Sequence, residues 1–145
     1  MSLDFKIIRS LTLEQMQQQF HLIQQLNPNL KEEHFLQMLP EMITANYKML
    51  GVFYEEKCIA ISGYWIQTKI YSGRYLEPDN VVVDSSFRSK KVGELMMNEL
   101  EIIAKESSCR FLMLDAYLEN SRAHKFYENL GFQKKGYHML KKLEY

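Results

Sequence analysis

Six consecutive residues, Arg88-Ser89-Lys90-Lys91-Val92-Gly93, place three cations at what reads as the start of a helix. Ahead of them Val81, Val82 and Val83 form a β-branched apolar run that suits a strand covered on both faces. Asp84, Ser85 and Ser86 interrupt it with side chains that bond their own backbone in turns. From Val92 the apolar positions Val92, Leu95, Met96, Leu100 and Ile103 recur at steps of three and four, which predicts a helix over residues 92–106 burying one side. Such a helix points unpaired backbone N–H groups, and the positive end of its dipole, back at the turn. With Arg88, Lys90 and Lys91 added, the turn is a seat for a phosphate or pyrophosphate. The bland alternative is a solvated basic helix start.

The elements that must position this turn follow from periodicity. Residues 5–9 alternate weakly and predict a first strand. Thr12-Leu13-Glu14-Gln15 has the form of a capping box, with Leu11 and Met16 as its hydrophobic staple. Met16, Phe20, Ile23 and Leu26 give that helix one apolar stripe, ended by Asn27-Pro28-Asn29. A second helix is expected with Asn29 as its cap and Phe35, Leu36 and Leu39 facing inward, stopped or restarted at Pro40. Residues 47–54 and 57–67 read as a hairpin around Glu55-Glu56, with Gly63 marking a bulge or a close backbone approach. Residues 74–83 return as the next strand, and Pro78 predicts a bulge or interrupted pairing near 77–80. After the central helix come a strand at 110–115 and a helix with Ala123, Phe126, Tyr127 and Leu130 on one face. Gly131-Phe132 reads as a left-handed cap with its hydrophobic contact, and residues 132–135 and 137–143 as two terminal strands.

The resulting order, β-α-α-β-β-β-α-β-α-β-β, predicts an α/β (α+β mixed) fold: a central, mixed, mostly antiparallel sheet flanked by helices. Length favours one domain over residues 1–145. Lys plus Arg and Asp plus Glu balance at 18 each, so no global field favours nucleic acid or an anionic membrane, and the basic turn is a local feature. Cys58 and Cys109 lie inside apolar runs, which argues against a disulfide-stapled secreted scaffold. No apolar run approaches the roughly 18 residues that span a bilayer. The N-terminus lacks the form of a secretory signal, so the cytoplasm is the expected compartment. His21, His34 and His138 are scattered without metal-ligand spacing, and no metal is expected.

Two segments resemble a known family. Arg88 and Gly93 match the pyrophosphate-binding signature of the GNAT N-acetyltransferase superfamily, (Arg or Gln)-x-x-Gly-x-(Gly or Ala). Lys91 stands where that signature has its first glycine, and is expected in an ordinary helical conformation that adds a charge near the phosphates. Asn120-Ser121-Arg122-Ala123-His124-Lys125-Phe126-Tyr127, followed by Gly131-Phe132, is similar to the family's Asn-x-x-Ala-x-x-Phe-Tyr-x-x-x-Gly-Phe segment at every fixed residue. The element order is also similar.

The resemblance implies acetyl transfer from acetyl-CoA to a primary amine of a small molecule or protein, by direct attack in a ternary complex. It implies that the backbone of Val81, Val82 and Val83 bonds the pantetheine arm. The turn from Arg88 through Ser89, Lys90, Lys91, Val92 and Gly93 to Glu94 would hold the pyrophosphate, and Asn120 would bond the arm. Tyr127 would stand as general acid for the departing thiolate, a role its weakly acidic hydroxyl suits. Glu77 and Asp79, beside the expected bulge, are the candidates for general base. Pairing of sheet edges through the terminal strands would give a homodimer.

Each residue has a plainer reading. Tyr127 and Phe126 fit a core stripe, Asn120 is a preferred helix cap, and His124 fits packing or solvent. Trp65, Tyr71 and Tyr75 fit either an acceptor groove or strand packing. The functional alternatives are a non-catalytic CoA-binding regulatory module on the same fold and a nucleotide-binding protein. The latter would need a glycine-rich or Gly-Lys-Ser/Thr turn that the sequence lacks.

Overall fold

Five strands, β1 (Phe5–Ile8), β2 (Lys48–Tyr54), β3 (Lys57–Lys69), β4 (Gly73–Val83) and β5 (Phe111–Leu112), form one sheet in the order β1-β2-β3-β4-β5. This computed structural model describes residues 3–145. They divide into two compact units, one ending at Met113 and one spanning Leu114–Tyr145. The sheet lies in the first unit. Its first three pairings are antiparallel, and β4 pairs with β5 in parallel, so the mixed, mostly antiparallel sheet expected from the sequence is present. The hairpin between β2 and β3 turns through Glu55 at φ 58, in the left-handed region. β3 is the densest strand, with every residue from Cys58 to Tyr64 buried, because helices cover both faces of the sheet.

On one face lie α1 (Leu13–Gln17), α2 (Phe20–Leu26) and α3 (Glu32–Thr44). Thr12 caps α1 with both halves of the capping box, and Leu11 and Met16 are both buried in the core beneath. The single helix expected from Met16 to Leu26 is broken between Gln17 and Phe20. Gln19 is turned into the core, with its side-chain amide donating to the Gln15 carbonyl, and the apolar stripe resumes in a new helix. α3 starts from Lys31 rather than Asn29, without a side-chain cap. It also runs through Pro40 instead of stopping there. Pro40 sits on the exposed side of α3, where its missing N–H is tolerated more readily, and Thr44 donates to its carbonyl at 2.9 Å. The core on this face joins Leu22, Ile23, Phe35 and Leu39 to Met49, Ile61 and Val82 of the sheet, with Trp65 packed against them.

The remaining helix of this unit, α4 (Val92–Glu106), has the bounds read from its periodicity and packs on β2, β3 and β4 through Val92, Met96 and Leu100. Arg9, just past β1, reaches Glu99 at 2.6 Å and Glu106 at 2.7 Å on α4, and its carbonyl accepts from the Tyr64 hydroxyl.

The second unit holds α5 (Ser121–Asn129). Its end is a Schellman motif: Gly131 takes φ 96, its N–H bonds the Glu128 carbonyl, and the Phe132 N–H bonds the Tyr127 carbonyl. The strand expected at 110–115 shortens to Phe111–Leu112, and those at 132–135 and 137–143 do not form. Strand propensity is realised only where a face is buried, and Tyr137, Met139, Leu140 and Leu143 are all exposed. No helix among the described residues is long and apolar enough to cross a membrane.

Candidate active site

Between β4 and α4 the basic turn forms one 3-10 segment, Ser85–Lys90. Asp84 caps it, accepting from the Ser86 N–H at 3.3 Å, with the Lys57 ammonium 3.7 Å away. Burial alone would push the Asp84 carboxyl up. The Ser86 amide, the Lys57 charge and the Ser86 hydroxyl outweigh that and hold it below its ordinary value. Phe87 anchors the turn, its ring 5.5 Å from that of Tyr54 and 6.3 Å from that of Phe5.

Lys91 corrects the expectation drawn from sequence. It is not helical but left-handed, at φ 61 and ψ 26, and it is the N-cap of α4 without a capping side chain. A side chain in that region costs roughly 1–2 kcal/mol, the strain a glycine avoids. The turn therefore keeps a glycine-like path even though a lysine occupies it. No side chain caps the first amides of α4. Lys90 and Lys91 are exposed and make no ion pair among the described residues. Arg88 is held more closely, donating to the Val83 carbonyl at 3.3 Å and to Gln25 Oε1 at 3.4 Å. Uncapped amides beside free cations fit a pyrophosphate.

The strand leading into the turn parts from its neighbour. β4 and β5 pair at Tyr75–Phe111 and Leu76–Leu112, and the Met113 N–H bonds the Leu76 carbonyl. The parallel ladder ends there, while β4 continues to Val83. Val81, Val82 and Val83 thus lie on a stretch of β4 that β5 does not cover.

The bulge expected near Pro78 is present, although Pro78 itself stays in register opposite Tyr64. Ile61 pairs with Val82 and Gly63 with Asp79, so the extra residue lies on β4. Asn80 takes up the kink at φ 59. Glu77 pairs with Trp65 and Asp79 with Gly63, which puts both candidate bases on the face covered by α1, α2 and α3. The Trp65 indole N–H donates to Asp79 Oδ2 at 2.9 Å, and the Asn80 amide donates to the Tyr47 hydroxyl at 3.2 Å. The Tyr47 and Trp65 rings lie 4.9 Å apart. Burial, first of all, pushes the Tyr47 phenol far up, the Asn80 bond opposes this, and the Asp79 charge adds to it. Sequence reading singled out Trp65, Glu77 and Asp79 but not Tyr47 or Asn80. The one available signal was Gly63, whose missing Cβ makes room for the Tyr47 hydroxyl.

A cavity of about 240 Å³ is lined by Asn46, Lys48, Tyr64, Ile66, Arg74 and Ser107. Tyr64 and Ile66 alternate with Trp65 along β3, so it opens on the opposite face of the sheet.

In the second unit Asn120 and Tyr127 lie on the same helix. Asn120 caps α5, its Oδ1 accepting from the Ala123 N–H at 3.0 Å, while its amide donors make no hydrogen bond among the described residues. Tyr127 is half-buried between Phe126 and Phe132, with centroids at 5.1 Å and 5.5 Å in edge-to-face geometry. Burial pushes its phenol above the ordinary value, and its hydroxyl makes no hydrogen bond among the described residues. His124 takes the plainer role, with Nε2 2.8 Å from the Tyr117 carbonyl. No group of His, Cys, Asp and Glu among the described residues could hold a metal ion.

The profile of the acetyltransferase (GNAT) family matches residues 11–132. The chain belongs to that family. As a member it is a transferase of the N-acetyltransferase class. The acetyltransferase is 26% identical over 126 residues to the uncharacterized N-acetyltransferase YhdJ of Bacillus subtilis (strain 168), covering 86% of this chain and 89% of that one. Among solved structures it is similar to glucosamine-6-phosphate N-acetyltransferase from Arabidopsis thaliana at 27% identity and TM-score 0.74, over 97% and 99% of the two chains. It also shares its fold with aminoglycoside N-acetyltransferase AAC(6')-Iy in complex with CoA, at 18% identity and TM-score 0.85, over 99% and 97%.

Proposed function

We propose that the acetyltransferase uses acetyl-CoA to acetylate a primary amine of a small molecule or protein, by direct attack in a ternary complex. The observation that carries this reading is the turn from Arg88 to Glu94. Its left-handed Lys91 leads into an uncapped helix N-terminus, directly after a strand that β5 leaves uncovered. An amine acceptor is supported by the Arabidopsis thaliana relative, named for an amino-sugar phosphate.

Within the turn, the amides of Val92, Gly93 and Glu94 would receive the pyrophosphate oxygens, with Lys90 and Lys91 supplying charge and Arg88 and Ser89 completing the rim. The backbone of Val81, Val82 and Val83 would bond the pantetheine arm as a strand bonds its neighbour. Asn120, whose oxygen caps α5, would bond the arm through its amide N–H groups. Tyr127 would give its proton to the leaving sulfur. A phenol carries its proton at neutral pH, and burial of Tyr127 raises it further above the ordinary value. Glu77 or Asp79 would accept a proton from the amine.

Calorimetric titration with acetyl-CoA, CoA and NAD tests the reading. Acetyl-CoA and CoA should bind and NAD should not. Lys90→Ala and Arg88→Ala should each weaken acetyl-CoA by about tenfold, the loss of one charge-assisted contact. No CoA binding by folded protein would reject it.

A further inference from the structure

The cavity beside Tyr64 and Ile66 is lined by the donor side chains of Asn46, Lys48, Arg74 and Ser107 and by no carboxylate. Lys48 starts β2 opposite Tyr64, and Arg74, near the start of β4, stands opposite Thr68. Tyr64, Ile66 and Thr68 alternate onto one face of β3. Both cations therefore share that face, from strands two places apart, roughly 10 Å. Asn46, at φ 72, leads from α3 into β2, and Ser107 closes α4. None of the four donor side chains makes a hydrogen bond or ion pair among the described residues. Glu99 and Glu106 of α4 are held by Arg9 instead. The helix end offers no bare carbonyl either, since those of Ile103, Ala104 and Lys105 accept from the N–H groups of Ser107, Cys109 and Ser108.

We propose that this cavity is a second anion site, taking a phosphate dianion, either free or as the monoester of a small molecule. Two cations balance its charge, and its three terminal oxygens meet four donors better than the two oxygens of a carboxylate. Arg74 supplies a planar fork and Lys48 a mobile point charge, both of which suit phosphate. The Tyr64 hydroxyl is spent on the Arg9 carbonyl, so its ring and Ile66 form a floor for the carbon part of an ester. At about 240 Å³ the cavity is smaller than the roughly 300–1,000 Å³ of pockets for drug-sized ligands, and suits a small ion.

The site is separate from the basic turn. α4 has 15 residues, about 22 Å of helix; the turn leads into its first residue and Ser107 follows its last. It stands independently of the acetyltransferase reading. A bound phosphate would join the turn at Asn46, two strands and the end of α4, and so favour the folded state. Cys109 supplies a native reporter. Burial, first of all, raises its thiol above the ordinary value, and the Arg74 charge opposes this. A phosphate on Arg74 cancels that opposition and leaves less thiolate to react. Cys58, the other cysteine, is buried.

Amide proton–nitrogen spectra of the wild-type chain locate the site. Titration with sodium phosphate at neutral pH, against sodium chloride of equal ionic strength, should give saturable shifts at Asn46, Arg74 and Ser107. No response, or shifts confined to residues 88–94, would overturn the proposal. Acetate should bind about tenfold more weakly; equal binding would reject a phosphate site. Arg74→Gln and Lys48→Gln, both at exposed positions, should each weaken phosphate about fivefold or more. Unchanged affinity in either variant would also overturn it. In wild-type protein, phosphate should slow alkylation of Cys109 by iodoacetamide with the same apparent Kd, and an unaffected rate counts against the site. Glycerol 3-phosphate separates the two sources: tighter binding than inorganic phosphate assigns an ester, weaker or equal binding the free ion, and either upholds the site. Failure of CoA to bind in calorimetry would reject the acetyltransferase reading and leave these shifts standing.

Discussion

The Tyr47 hydroxyl occupies the space that a Cβ on residue 63 would need, so β3 can carry only glycine opposite Asp79. The ring crosses the strand at that gap and reaches the bulged Asn80 on the far side. One missing methyl thus decides where a buried tyrosine lies, and the tyrosine in turn steadies the bulge beneath the candidate base.

Gly63→Ala should be among the more damaging single-atom additions in the chain. The clash is with a ring that is almost fully buried, so the ring or the strand must shift. A loss of roughly 1–3 kcal/mol is expected in urea denaturation. Tyr47→Leu in the same chain should recover part of it, the coupling expected of two residues in contact.

Lys91→Gly should raise stability by about 1 kcal/mol, because glycine enters the left-handed region without the Cβ penalty. Lys91→Ala should not, since alanine keeps that penalty. Thermal midpoints of the two variants, compared with wild type, decide whether the strain is real.

Tyr127→Phe keeps the edge-to-face contacts with Phe126 and Phe132 and removes only the hydroxyl. Turnover with a responsive amine should fall by roughly 10²–10⁴-fold, the range for a lost general acid. Calorimetry should show CoA binding within about twofold of wild type. A variant with full turnover would remove Tyr127 from the chemistry.

Alkaline pH should destabilise the fold in a definite window. Burial pushes the Cys58 thiol from 9.0 up to about 11, opposed by bonds with Ala60 and Val52, so the folded state holds a proton that the unfolded chain releases earlier. This contribution is intact below pH 9 and is lost as pH rises through 11, on the order of 2 kcal/mol in all. Cys58→Ala should flatten the denaturation midpoint between those values. The phenols of Tyr47 and Tyr64, also raised mainly by burial, should leave a further decline above pH 10.

The strands 48–54, 57–69 and 73–83 and helix α4 were legible because each is long and apolar enough for one period to dominate. Local motifs were legible too: the box at Thr12 and the Schellman end at Gly131 depend on neighbours in sequence. What escaped depends on distant partners. The break after Gln17 follows from turning Gln19 inward, which a stripe of Met16, Phe20, Ile23 and Leu26 does not foretell. The conformation of Lys91 contradicts the preference of lysine itself and is imposed by the turn around it. Asn80 and Tyr47 meet across 33 positions, and only Gly63 hinted at them. The terminal strands fail because alternation without a buried face does not hold a strand.

Arg9 grips Glu99 and Glu106, which stand two helical turns apart, about 10 Å along the axis. One guanidinium can reach both only while the intervening turns stay wound, so fraying of the last turns of α4 breaks the clasp that joins them to the residue just past β1. Amide protons at the outer edge of the sheet and at the far end of the helix should therefore exchange as one cooperative group. High salt, by loosening this exposed clasp, should quicken both together.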